Sequence, residues 1–266
     1  MVSAMRILFI GDIVARPGRR ALEELLEGVI AEHGVEFTIA NGENAAGGMG
    51  ITPAIAMEIL SQEVDVLTSG NHIWAKKEII PFLEDERRLL RPANYPAGVP
   101  GRGGGTFEAR NGTKVAVLNL EGRVFMKNLE CPFRVGEREI ESLKEEASIV
   151  VVDFHAEATS EKVALGWFLD GKASAVLGTH THVQTSDERI LKGGTAYITD
   201  AGMTGPLDSV IGVKKQVAMD RFLTQVPLKY DVGTGEIELQ GVVVEVDPDT
   251  GKASDIRRIR VPLNEK

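Results

Sequence analysis

Five short apolar runs in this chain each stop at a polar motif, and that alternation restricts the folds open to it. Arg6-Ile7-Leu8-Phe9-Ile10 ends at Gly11-Asp12, and Phe37-Thr38-Ile39-Ala40 runs into Asn41-Gly42-Glu43-Asn44-Ala45-Ala46-Gly47-Gly48. Val64-Asp65-Val66-Leu67-Thr68 precedes Gly70-Asn71-His72, and Ile149-Val150-Val151-Val152-Asp153-Phe154 stops at His155. Ser174-Ala175-Val176-Leu177 meets Gly178-Thr179-His180-Thr181-His182. Such runs are typical of strands buried on both faces of an α/β sheet. The first three recur at roughly 20–30-residue intervals with helical stretches between, which predicts parallel strands and right-handed crossovers. Open α/β sheets place their sites beyond the strands' carboxyl ends, where these polar residues fall.

A helix is expected to start near Pro17, since proline suits a first helical turn. Ala21, Leu22, Leu25, Leu26, Val29 and Ile30 give it one apolar face. His33 lies at its end, where an imidazolium complements the helix dipole. A second helix is expected from Thr52, with Pro53 in its first turn. Residues 91–105 are rich in Pro and Gly and read as irregular, and Asn111-Gly112 between two strand-like runs signals a hairpin. Residues 121–136 read as an excursion, followed by helices over 137–147 and 160–169. Beyond His182, residues 197–199, 217–226 and 237–246 read as strands of a largely antiparallel second sheet, with a turn at 247–251 before a last strand at 256–261.

The chain of 266 residues is long enough to bury a sizeable core and reads as one domain, 1–266. Its 43% hydrophobic and 26% charged content is that of a globular protein. A formal charge of −9 argues against a surface built for nucleic acid or anionic membrane. A small anionic substrate remains compatible, because metal ions can supply positive charge locally. The single cysteine, Cys131, rules out an internal disulfide. No apolar run reaches the length of a membrane span, and the first five residues lack a basic region followed by an apolar one. A cytoplasmic location is expected.

Four of the five histidines sit in the strand-end motifs. Two histidines at i and i+2 past a buried strand, His180 and His182, can reach two neighbouring points of one cleft, as a pair of metal ions about 3.5–4 Å apart requires. Taken alone, the two would fit equally well in a polar loop bonded to backbone. Together with Asp12, Glu43, Asn71 and His155 they offer carboxylate, imidazole and amide donors, a mixture suited to Mn²⁺, Fe or Zn²⁺ rather than Ca²⁺. Neither a nucleotide-binding P-loop nor a dinucleotide fingerprint is present.

At these motifs the chain resembles the calcineurin-like metallophosphoesterases, whose pattern is Asp-x-His, Gly-Asp-x-x-Asp, Gly-Asn-His-Asp/Glu, a lone His and Gly-His-x-His. It departs from that pattern at Asp12-Ile13-Val14, which lacks the His, and at Gly42-Glu43-Asn44, where Glu replaces the bridging Asp. Ile73 stands in place of the acid after Gly70-Asn71-His72, and Thr179 precedes His180. With Gly202-Met203-Thr204-Gly205-Pro206, these departures look like the YmdB-type subfamily over nearly the whole chain.

The resemblance implies an α/β four-layer sandwich of two packed mixed sheets flanked by helices. It implies a phosphodiesterase acting on 2′,3′-cyclic nucleotides and using two metal ions per chain, Fe or Mn foremost, with Zn possible. Asp12, Glu43 and His182 would hold the first metal, with Asn44 supplying an oxygen in place of the missing imidazole. Asn71, His155 and His180 would hold the second, with Glu43 bridging. A water shared by two cations loses a proton near neutral pH and becomes a nucleophile. His72 would protonate the leaving alkoxide as general acid. A homo-oligomer is implied as well, with no stable nucleic-acid or membrane partner.

Blander roles stand beside these. Asp12 and Asn71 could cap helices, Asn44 could be a turn residue, and His72 could only donate a hydrogen bond. Residues 202–206 either approach substrate through backbone N–H groups or merely turn the chain. Arg16 and Arg19 suit a solvated helix start better than a phosphate contact. A phosphomonoesterase on the same site, or a metal-bound regulatory protein, are the competing functions.

Overall fold

Alternate residues of the first strand serve different layers. In the computed structural model, which describes residues 4–264, β1 (Met5–Ile10) sends Ile7 and Phe9 into one core and Leu8 and Ile10 into another. Period-two alternation with both faces apolar is what places a strand in the middle of a layered structure. The first sheet contains β1, β2 (Asp12–Ile13), β3 (Phe37–Asn41), β4 (Val66–Thr68), β11 (Met203–Pro206), β12 (Ile237–Val246) and β13 (Ala253–Leu263). Its order is β2-β11-β12-β1-β3-β4, with β13 also paired to β12. β1, β3 and β4 are parallel, and β12 lies antiparallel to β1.

The second sheet has the order β5-β6-β7-β8-β10-β9. These strands are β5 (Gly104–Glu108), β6 (Lys114–Glu121), β7 (Ile149–His155), β8 (Ala175–Thr179), β9 (Arg189–Ile190) and β10 (Ala196–Ile198). The four central strands are parallel, and both edges are antiparallel. Phe9, Phe37 and Val244 from one sheet and Val117, Val151 and Leu177 from the other share the core between them. The helices α1 (Ala15–His33) and α2 (Pro53–Leu60) cover the outer face of the first sheet, and α4 (Pro132–Leu143) and α5 (Thr159–Phe168) cover that of the second. The result is the expected four-layer α/β sandwich of two mixed sheets flanked by helices, and a short α3 (Ile79–Asp85) adds to its first helical layer.

Local signals account for most element ends. Thr52 accepts from the Ile55 N–H to cap α2, with Pro53 at the first helical position. Gly34 ends α1 in the left-handed conformation. α1 starts two residues before Pro17.

Three expectations need correction. The helix placed at 137–147 is α4, which starts five residues earlier at Pro132. Residues up to 136 read as an excursion in the sequence, yet Gly136 lies within α4 and lets it approach β6, since a Cβ there would stand 3.0 Å from Leu120 Cδ1. Residues 217–226 fall largely within the helix α6 (Lys215–Thr224), because Gln216, Ala218, Met219, Arg221 and Leu223 are strong helix formers. The C-terminal strands form no sheet of their own. β12 is buried on both faces and so joins β1 inside the first sheet, while β10 lies parallel to β8 in the second.

Candidate metal centre

Because β1, β3 and β4 run parallel in one sheet and β7 and β8 in the other, their polar ends meet. Two buried carboxylates lie at the centre and are oriented by backbone. The His180 N–H donates to Asp12 Oδ2 at 3.0 Å, and the His72 N–H donates to Glu43 Oε2 at 3.0 Å. Asp12 and Glu43 are fully buried. Burial opposes their ionisation, but His182 beside Asp12 and His155 beside Glu43 hold both carboxyls below the ordinary range, Glu43 well below it.

Four donor atoms surround one point. His155 Nε2 is 3.0 Å from Asn71 Oδ1, 3.1 Å from Glu43 Oε1 and 3.0 Å from His180 Nδ1. Outer partners fix which nitrogen of each ring carries the proton. Thr179 Oγ1 donates to the Asp153 carboxylate at 2.7 Å, so it accepts from His155 Nδ1–H at 3.0 Å. His180 Nε2–H donates to Glu157 Oε2 at 3.0 Å, and His182 Nδ1–H donates to the Ile211 carbonyl at 3.0 Å. Each neutral imidazole therefore aims a lone pair inward.

Four electron-pair donors facing one another with no hydrogen between them require a cation. The metal-free protein can meet that need only with a proton. Burial disfavours charge on His155, yet Glu43 and Asp12 push its pKa up to about 9. His180 is driven down to about 3 by burial and by the charge on His155. A metal ion satisfies the same field with all four donors at once, so these residues fit one. The ligand atoms of Glu43, His155 and His180 all lie within 4.8 Å of one another.

The second half of the cluster is more open. Asp12 Oδ1 is buried with no hydrogen-bond partner among the described residues, 3.7 Å from His182 Nε2 and 4.0 Å from His155 Nδ1. An orphaned carboxylate oxygen beside an inward lone pair is again a cation's place. Asn44 departs from the expected oxygen donor. Its Nδ2 faces Glu43 Oε1 and His182 Nε2, each at 3.2 Å, while its Oδ1 accepts from His72 Nδ1–H at 2.8 Å. A half-turn of the amide exchanges the two atoms.

The loop carrying the histidine pair is strained and clamped. His180 and His182 have φ of 101° and 65°, and Ala15, next to the Asp12 strand, has φ of 52°. Non-glycine residues rarely adopt such angles, and where they do the surroundings over-determine them. Here Lys162 Nζ, almost fully buried, donates to the Thr179 carbonyl at 2.7 Å and to Asp200 Oδ2 at 2.8 Å. The same Asp200 oxygen accepts from the Thr181 N–H and hydroxyl.

Gly70 serves the site by close approach, since a Cβ there would fall 2.3 Å from His155 Nε2. Residues 203–206 form β11, and the Gly202 carbonyl accepts from the Asp12 N–H, so this segment positions Asp12 by strand pairing. Arg19 bonds the Ala45 carbonyl and Glu58, fastening the loop after Glu43 to α1 and α2. His33 lies in the last turn of α1, remote in the chain from the cluster.

The residues missed at the sequence level are the orienting ones: Thr179, Asp153, Glu157, Lys162 and Asp200. Asp153 left a trace, a carboxylate inside an otherwise apolar buried strand. Glu157, Lys162 and Asp200 left none, because each looks like an ordinary surface charge.

A two-sheet sandwich with mixed O/N donors at the strand ends defines a metallophosphoesterase-like protein. Over residues 8–259 the chain matches the family described as YmdB-like protein. It is 49% identical over 257 residues to the 2′,3′-cyclic-nucleotide 2′-phosphodiesterase of Bacillus subtilis (strain 168), with 97% of each chain covered. A hypothetical protein from Thermus thermophilus superposes with a TM-score of 0.90 at 41% identity, covering 97% of this chain and 99% of that one. The crystal structure of a novel phosphatase from Mycoplasma pneumoniae gives a TM-score of 0.92 at 32% identity, covering 98% and 95%. The chain belongs to the YmdB-like family.

Proposed function

We propose that this phosphoesterase hydrolyses small phosphodiesters, 2′,3′-cyclic nucleotides foremost, at a dinuclear metal centre. The observation that carries the proposal is the set of inward lone pairs and carboxylate oxygens just described, of which Glu43, His180 and His182 line a cavity of about 340 Å³ with His72 on its wall. Small-molecule sites span about 300–1,000 Å³, so the cavity suits a mononucleotide. Asn71, His155 and His180 would hold one ion and Asp12 and His182 the other, with Glu43 shared and Asn44 joining once its oxygen turns inward. The bound ions, Fe or Mn first and Zn second, would polarise the phosphoryl oxygens and supply a water acidic enough to attack near neutral pH.

The chain's own contribution is orientation and a proton. With the Asn44 oxygen turned inward, its Nδ2–H would face His72 Nδ1, so the ring would carry its proton on Nε2, the atom left available to substrate. In hydrolysis the bond between phosphorus and a ribose oxygen breaks, water oxygen takes its place, and His72 Nε2–H protonates the departing ribose oxygen. Glu43 keeps the imidazole close by, with Oε1 3.3 Å from Nδ1. The family resemblance adds a homo-oligomer, a single domain over 1–266 and a cytoplasmic setting to the proposal.

A phosphomonoesterase reading stands second, favoured by the description of the M. pneumoniae structure as a phosphatase. Hydrolysis of 2′,3′-cyclic AMP and of 3′-AMP by the metal-loaded protein separates the two. Preference for the cyclic diester supports the proposal. Turnover of the monoester alone would overturn it.

A further inference from the structure

The cavity that holds the metal-ligand cluster has a second wall of a different chemistry. Met49, Ile211, Val213, Tyr230 and Val232 line it together with the histidines. Three of these leave large apolar surface open: Met49 is 42% exposed, Ile211 48% and Tyr230 51%. Apolar side chains gathered at the mouth of a polar site are a binding surface rather than a packing surface.

The wall is built rather than incidental. Ile211 is β-branched yet has φ of 46°, a conformation such residues avoid, and its carbonyl takes the His182 Nδ1–H. The segment carrying Tyr230 and Val232 is fastened to the one carrying Ile211 and Val213. Val213 bridges Val232, and the Gly233 N–H donates to the Gly212 carbonyl at 2.8 Å. The wall is thus tied to a metal ligand through a single hydrogen bond. Arg221 stands 4.9 Å over the ring of Tyr230, and the tyrosine, which lines the cavity, remains half exposed.

The charges at this wall are already engaged: Asp231 pairs with Lys214, and Arg221 lies against the Tyr230 ring. The anionic end of a ligand belongs at the cation-demanding cluster, and the neutral, flat end belongs here. We propose that this wall is a nucleobase subsite in which a purine stacks on Tyr230 against Ile211 and Met49, so that the enzyme favours purine 2′,3′-cyclic nucleotides over base-free cyclic phosphodiesters. The inference rests on the phosphodiesterase reading above and adds the substrate's recognised part. Base–aromatic stacking tolerates either purine, because each presents a π-face.

The test compares kcat/KM for adenosine 2′,3′-cyclic phosphate and for the base-free methyl ribofuranoside 2′,3′-cyclic phosphate, using the metal-loaded full chain. The wild type is expected to favour the adenosine diester by roughly 10- to 100-fold, the size of one stacking contact, mainly through KM. Tyr230→Ala is expected to remove most of that preference, and Tyr230→Phe, which keeps the ring, to retain it. Equal handling of both diesters by the wild type would overturn the subsite and leave the phosphodiesterase reading standing. A preference that survives Tyr230→Ala would overturn it equally. If neither diester were cleaved, the phosphodiesterase reading would fail and the subsite with it.

Discussion

At the scale of single residues, the proposed mechanism separates groups that bind metal from a group that moves a proton. The His72 side chain touches the cluster through Nδ1, by way of Asn44 and Glu43, and leaves Nε2 available. His72→Ala is therefore expected to lower kcat by about 10²–10⁴-fold with metal content unchanged, the usual worth of general acid catalysis. Equal loss of metal and activity would recast His72 as a ligand.

His155 carries a pH prediction. Its folded pKa of about 9 lies above the ordinary value of 6.5, so the metal-free protein holds a proton there at pH 7. That proton stabilises the metal-free fold fully below about pH 6.5, and the contribution is lost as pH rises through about 9. Metal must displace the proton, so loading at pH 7 should release protons and metal affinity should rise with pH. Calorimetry in buffers of different ionisation enthalpy measures the release. Zero release would contradict the assignment of His155 as a ligand.

The candidate ligands were legible as a set, because carboxylate, amide and imidazole at the ends of five apolar runs together have few other uses. Thr179 and Glu157, which set the tautomers, were not. A hydroxyl or a half-exposed carboxylate acquires that role only from a neighbour distant in the chain.

At the scale of elements, the strained loop after β8 depends on α5. Lys162 and Asp200 are both at most 1% exposed and bond to each other and to residues 179–181. Removing one partner of a buried pair strands the other's charge, at a cost of about 3–5 kcal/mol. Lys162→Ala is expected to destabilise the protein by that much in denaturant unfolding and to weaken metal retention. A loss below about 1 kcal/mol would show that the clamp is unimportant.

Period and punctuation made β1, β3, β7 and α2 readable in the sequence. They failed where tertiary contact decides. Gly136 packs inside a helix, and the mixture at 217–226 is helical although its Val and Phe residues also suit a strand. β12 is placed by its two apolar faces, and nothing in its own sequence names β1 as the neighbour.

At the scale of the whole molecule, Asp12, Glu43 and Asn71 come from the first sheet's edge and His155, His180 and His182 from the second's. Bound metal would fasten the two sheets together at that edge. Any ligand that binds only the folded state stabilises it by about 2.7 kcal/mol at 100 times its dissociation constant. Chelation is expected to lower Tm, and readdition of Mn²⁺ or Fe to restore it. An unchanged Tm would mean that the sheets are held by the shared apolar core alone.

The most direct measurement is the metal content of the purified chain beside that of Glu43→Ala. Glu43 is the carboxylate that the proposal shares between both ions, so about two ions per chain are expected in the wild type and a large loss in the variant. No bound metal in the wild type, even after loading with Mn²⁺ or Fe, would contradict the dinuclear centre.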